Sequence, residues 1–119
     1  MIDHVGLRTT QYDTLLAFYE AALAPLGYKR MMSFDGAAGL GRDMPDFWIG
    51  ADGKGGSNIH LALAADDRAS VDAFYRAAIA HGGKDNGAPG LRTEYTPTYY
   101  AAFVLDPDGN NLEVVCHAG

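Results

Sequence analysis

Two stretches decide the fold: HVGLRTTQYDTLLAFYEAALAPLG, residues 4–27, and HLALAADDRASVDAFYRAAIAHGG, residues 60–83. Offset by 56 positions they align without a gap and share nine identities in 24 positions. His4 falls on His60, Leu7 on Leu63, Ala17-Phe18-Tyr19 on Ala73-Phe74-Tyr75, and Gly27 on Gly83. Val5/Leu61, Leu15/Val71 and Leu23/Ile79 exchange one aliphatic residue for another. A histidine, a Phe-Tyr pair and a glycine held in one register mark two copies of one supersecondary unit.

Each copy opens with alternation. Val5 and Leu7 oppose His4 and Gly6, and Leu61 and Leu63 oppose His60, Ala62 and Ala64, which is the period of a half-buried strand. A helical stripe follows: Tyr12, Leu15, Leu16, Tyr19, Leu23 and Leu26 in the first copy, and Val71, Phe74, Tyr75 and Ala78 in the second. Thr10 and Asp66, which the repeat superposes, are expected as N-caps, with Thr10 and Asp13 resembling a capping box. Gly27 and Gly82-Gly83 are the expected stops.

Further strands are expected over Tyr28–Phe34, Ala37–Arg42 and Asp46–Ala51, and then over Arg92–Tyr95, Tyr99–Asp106 and Asn111–His117. Gly82–Gly90 reads as a mobile loop, and Asp106-Pro107-Asp108-Gly109-Asn110 as a tight turn. The fold class is α+β: two tandem βαβββ modules forming an open, cup-shaped sheet with helices outside. They make one domain over 1–119, with module 1 at about 1–52, a Gly-rich linker at 53–57 and module 2 at about 58–119. Neither module buries enough surface alone, so the two are expected to pack together through their sheets.

Composition narrows the function. Of 119 residues, 48% are hydrophobic and 20% charged, ordinary values for a globular chain. Fifteen acidic against nine basic side chains give a formal charge of -6, which argues against a nucleic-acid surface. No apolar run is long enough to span a membrane. The start has no leader pattern, and a single cysteine, Cys116, fits a reducing compartment, so a cytoplasmic location is expected.

His4 and His60 face away from the helix side of their strands, beside the small residues Gly6, Ala62 and Ala64. Glu113 stands between Leu112 and Val114 in an apolar run, where a carboxylate needs a partner or a cation. Two histidines and a carboxylate form an open ligand set for a divalent transition metal. Tyr99 is the candidate proton donor. Trp48, Phe103, Tyr99 and Arg92 are candidate substrate contacts, with Arg92 suited to an anionic group.

His4 in Asp3-His4-Val5-Gly6-Leu7, His60 in Ile59-His60-Leu61-Ala62-Leu63 and the ending Asp106-Pro107-Asp108-Gly109-Asn110-Asn111-Leu112-Glu113 resemble the vicinal oxygen chelate superfamily. That superfamily groups glyoxalase I, bleomycin-resistance proteins, fosfomycin-resistance thiol transferases and extradiol dioxygenases. The resemblance implies paired modules around one divalent ion (Fe, Mn, Ni, Co or Zn) held by His4, His60 and Glu113, in a homodimer that takes a small-molecule substrate or ligand. It implies a glyoxalase-like lyase or isomerase that stabilises an oxyanionic or enediolate intermediate. The alternatives are a ligand-sequestering protein of the bleomycin-resistance kind and an extradiol-type dioxygenase. Two positions depart from the enzymes: Phe47-Trp48-Ile49 stands where glyoxalase I supplies a carboxylate, and Phe103 where extradiol enzymes place a tyrosine. In a swapped dimer, His4 would complete a site with His60 and Glu113 of the partner chain.

Overall fold

The computed structural model describes residues 1–52, 54 and 56–119; Gly53 and Gly55 of the expected linker lie outside the described residues. The first half runs β1 (Val5–Thr9), α1 (Tyr12–Leu23), a 3-10 turn (Ala24–Leu26), β2 (Lys29–Phe34), β3 (Ala37–Gly41) and β4 (Phe47–Ala51). The second repeats the order with β5 (His60–Ala64), α2 (Arg68–Ala80), β6 (Lys84–Leu91), β7 (Tyr100–Leu105) and β8 (Asn111–Cys116). Each half folds into one four-stranded sheet, β1-β4-β3-β2 and β5-β8-β7-β6. In both, the first strand lies parallel to the last and the remaining pairs are antiparallel. The two sheets stay open, as tandem βαβββ modules require.

Alternation sorts the sheet faces. Leu7, Phe47 and Ile49 on one sheet, and Leu112, Val114 and Cys116 on the other, enter a common core with Leu15, Phe18, Tyr19 and Leu23 of α1 and Val71, Phe74 and Ala78 of α2. Each such fully buried aliphatic or aromatic side chain contributes roughly 1.5–3 kcal/mol. Within the chain the modules meet through their helices: α1 and the 3-10 turn after it both pack on α2. The buried faces of α1 and α2 meet each other as well as the sheets, so the expected joining of modules through their sheets gives way to helix packing. The His-bearing face of each sheet is left open.

Several local expectations shift. Thr10 caps nothing: α1 starts after Gln11, whose backbone N–H donates to Thr9 Oγ1 at 3.0 Å, and no side chain caps the helix. The cap of α2 is Asp67 rather than Asp66, accepting from Ser70 N at 2.8 Å. Pro25 ends α1 early, and the chain leaves through Gly27 at φ 85°. The segment read as a mobile loop is strand β6, and Arg92–Tyr95 is a turn instead of a strand. Pro89 fits because β6 is an edge strand, and two register shifts at Asp85/Gly87 and Gly87/Gly90 absorb the glycines. The strand β7 begins at Tyr100, so Tyr99 closes the preceding turn. No helix among the described residues is long and apolar enough to cross a membrane.

Candidate metal centre

Glu113 is placed by the pleat of β8. Its neighbours Leu112 and Val114 enter the core, so its side chain turns to the open face beside Phe103, its register partner on β7. There it is only 3% exposed. Glu113 Oε1 lies 3.0 Å from Nε2 of His60, and Oε2 accepts a hydrogen bond from the Tyr99 hydroxyl. That bond, with burial, pushes the Tyr99 phenol up to about 12, so it stays protonated at neutral pH.

The His60 ring is oriented by the backbone, its Nδ1 standing 3.1 Å from the carbonyl oxygen of Asn111. A carbonyl only accepts, so the ring proton belongs on Nδ1 and the Nε2 lone pair faces a carboxylate oxygen. Two electron-rich atoms at that separation need a proton or a cation between them. The spacing also suits a shared ion: ligands about 2.1 Å from one cation, at right angles, stand about 3 Å apart. An Nδ1–H bonded to a backbone carbonyl is the usual way a protein fixes a metal-binding imidazole. His60 and Glu113 therefore fit as two donors to a divalent cation.

The third expected donor is elsewhere. His4, before the start of β1, is exposed, and its Nδ1 lies 2.8 Å from Asp3 Oδ1. It shares a cleft of about 380 Å³ with His60, but among the described residues no three His, Cys, Asp or Glu side chains converge to hold an ion. Trp48 sits on the other sheet. It pairs with Gly6 as Glu113 pairs with Ala62, so it is Glu113's counterpart in the repeat. Its ring stacks on Phe34 at 6.2 Å and its Nε1 donates to Pro45 O at 3.0 Å. Phe103 lies beside the pair, 6.3 Å from the His60 ring, and the Arg92 guanidinium lies 5.5 Å from the Phe103 centroid. Tyr99 adjoins Tyr95 at 4.9 Å and His117 at 5.2 Å. Cys116 points into the core.

The turn between β7 and β8 does more than reverse the chain. Asp106 Oδ1 accepts from the backbone N–H of Asp108 and Asn110 at 2.8 and 2.9 Å. Asn110 Oδ1 accepts from Ile59 N at 3.0 Å, fixing the residue before His60. Gln11 Nε2 reaches Pro107 O at 3.1 Å and also the Asp108 carboxylate. The Asp-Pro-Asp-Gly-Asn spelling signals the turn; nothing in it signals that Asn110 and Asn111 hold the strand that carries His60.

Two repeated βαβββ sheets, each with an open face, and on the second a histidine on the first strand beside a carboxylate on the last, define a class of paired-module proteins. The model of the Glyoxalase/Bleomycin resistance protein/Dioxygenase superfamily matches residues 1–114, and the chain belongs to that superfamily. A solved glyoxalase/bleomycin resistance protein from Albidiferax ferrireducens T118 is 28% identical, with a TM-score of 0.78 and 96% of each chain covered. A glyoxalase/bleomycin resistance protein/dioxygenase family enzyme from Burkholderia phytofirmans PsJN is 20% identical (TM-score 0.73, 98% of each chain) and shows the fold alone. The same holds for an E144Q glyoxalase I mutant from Zea mays at 22% identity and TM-score 0.71, where 96% of this chain covers 44% of that one. No curated protein sequence matches.

Proposed function

We propose that this protein is a divalent-metal-dependent enzyme of the glyoxalase-like lyase or isomerase kind, acting on a small oxygenated substrate. The observation that carries the reading is the His60–Glu113 pair, with Nε2 and Oε1 at 3.0 Å and His60 Nδ1 directed at a backbone carbonyl. In this reading His60 and Glu113 of one copy hold the ion, and His4 of a second copy completes the set in a homodimer. When bound, the ion supplies Lewis-acid polarisation of a substrate oxygen. Tyr99 keeps Glu113 oriented through its hydroxyl, and Phe103 gives the site an apolar floor.

The test is elemental analysis of untagged protein before and after chelation and reloading with single divalent ions, followed by assays with α-oxoaldehyde–thiol adducts and catechols. About one ion per chain, and turnover that disappears with the ion, supports the reading. No ion under any loading condition overturns it. Trp48 favours a second reading, ligand capture without turnover: an indole stacked on Phe34 occupies the repeat position of Glu113 and leaves no second carboxylate to act as base. Stoichiometric ligand binding that is indifferent to chelators would select it. Ring cleavage of a catechol by the iron-loaded protein would select the dioxygenase alternative.

A further inference from the structure

Gly87, Phe103 and Glu113 form one row across the open face of the second sheet, Gly87 pairing with Phe103 and Phe103 with Glu113. Gly87 contributes no side chain to that row, and the guanidinium of Arg92 lies in the space. A Cβ on Gly87 would come within 3.2 Å of Arg92 Nη2, and one on Gly90 within 3.1 Å of Nη1. The bulged edge strand thus keeps a niche whose width is set by two glycines. In it, Arg92 donates from Nη2 to Ala88 O at 2.8 Å and lies against Phe103. Arg8, Arg30 and Arg42 each have a carboxylate within 4 Å (Asp52, Glu20 and Asp66); among the described residues Arg92, like Arg68 and Arg76, has none. A half-buried guanidinium carries five N–H donors in a fixed fork, and the contacts here leave most of them to be met from the open face.

We propose that Arg92 reads a carboxylate at the far end of the substrate, and that the substrate class is a small acid with chelating oxygens at one end and a carboxylate at the other. This rests on the reading of His60 and Glu113 as the metal centre. The niche lies two strands from Glu113, about 10 Å at the usual strand spacing, with the Phe103 ring as an apolar floor between the polar ends. A fork-shaped donor matches a planar carboxylate through two parallel hydrogen bonds, which fixes the direction of the bound molecule as well as its charge.

The probes are 2-oxoglutarate and 2-oxohexanoate, which share a chelating head and differ in a distal carboxylate against an ethyl group of similar size. Cobalt(II)-loaded protein is titrated with each by calorimetry, in the wild type, Arg92→Gln and Arg92→Lys. The cobalt visible spectrum reports the metal separately. The wild type binds 2-oxoglutarate about tenfold more tightly, the gain expected of a charge-assisted pair. That preference disappears in Arg92→Gln and returns in part in Arg92→Lys, with the cobalt spectrum unchanged. Equal binding in the wild type, an intact preference in Arg92→Gln, or binding of neither probe with cobalt in place overturns the proposal. If cobalt does not load, the metal reading is what fails. The Arg92 Nε–Hε resonance then decides the anion site: a shift with 2-oxoglutarate alone supports it, and no shift overturns it.

Discussion

Tyr19 on α1 donates its hydroxyl to Asp106 Oδ2 at 2.6 Å, joining the first module's helix to the turn before β8 inside the core. Asp106 is 3% exposed, and Asn110 Nδ2 also donates to Oδ2 at 2.9 Å. Tyr19→Phe removes one donor from a buried carboxylate and leaves the ring packing in place. Its expected cost is about 1.5 kcal/mol, because Asn110 still serves the same oxygen. Urea unfolding reads it as a lower midpoint with an unchanged slope. An unchanged midpoint means that the bond adds nothing to the joining of the modules.

Tyr99→Phe tests whether Glu113 is oriented from behind. The phenol touches only one oxygen of the carboxylate and is itself partly exposed, so the fold barely depends on it. Loss of an outer partner of a metal ligand typically costs 10–100-fold in affinity, and about tenfold is expected here. Competition against a chromophoric chelator measures it. Wild-type affinity in Tyr99→Phe would leave Tyr99 outside the positioning of Glu113.

The distance between His4 and the His60–Glu113 pair leads to a complementation test. If the site is shared between copies, His4→Ala and Glu113→Ala are each inactive. Random exchange of subunits then recovers about a quarter of the sites, because half of the dimers are mixed and each carries one intact set. Metal content and activity of the mixture should both reach that level. None recovered after proven exchange opposes a shared site.

The repeat made the fold legible, because a strand buried on one face and an amphipathic helix both leave periodic traces, and Glu113 was conspicuous as a charge in an apolar strand. The segment over β6 was not legible. Pro89, Gly87 and Gly90 spell a loop, and only its position at a sheet edge lets a bulged strand carry them. The helix starts lie one residue beyond the expected caps: Asp66 and Asp67 differ only in backbone geometry that spacing does not encode, and α1 begins after Gln11 with no side-chain cap at all. The separation of His4 from Glu113 was invisible for another reason. Periodicity sets the face on which a residue lies, not which modules come together.

Tyr28 contributes to the alkaline limb of the stability curve, as do the other tyrosines whose phenols are pushed up. Burial first, and then its 3.0 Å hydrogen bond to Asp46 Oδ2, push the phenol up to about 12 from the ordinary value of 10. The folded chain therefore holds this proton more tightly than the unfolded chain does. The stabilisation is complete below pH 10 and is lost as the pH rises towards 12. Denaturation midpoints measured across that window should fall, with phenolate absorbance from this group appearing late. Tyr28→Phe should be less stable at neutral pH, yet show a shallower fall. An equally steep fall in Tyr28→Phe would place the alkaline limb on other tyrosines.

Two glycines in the first sheet separate steric need from simple tolerance. A Cβ built on Gly41, at the end of β3, would overlap the carbonyl oxygen of Met44, whereas one on Gly50 in β4 meets nothing within 4 Å. The first contact is with backbone, so Gly41→Ala must displace the Arg42–Pro45 turn and with it Asp46, the partner of Tyr28. Its expected cost is about 3 kcal/mol, the upper range for forced repacking. Gly50→Ala has no such conflict and narrows the unfolded ensemble, so a gain of about 0.5 kcal/mol is expected. Paired thermal and urea melts of the two variants measure both. The turn is free to move aside if Gly41→Ala melts with the wild type.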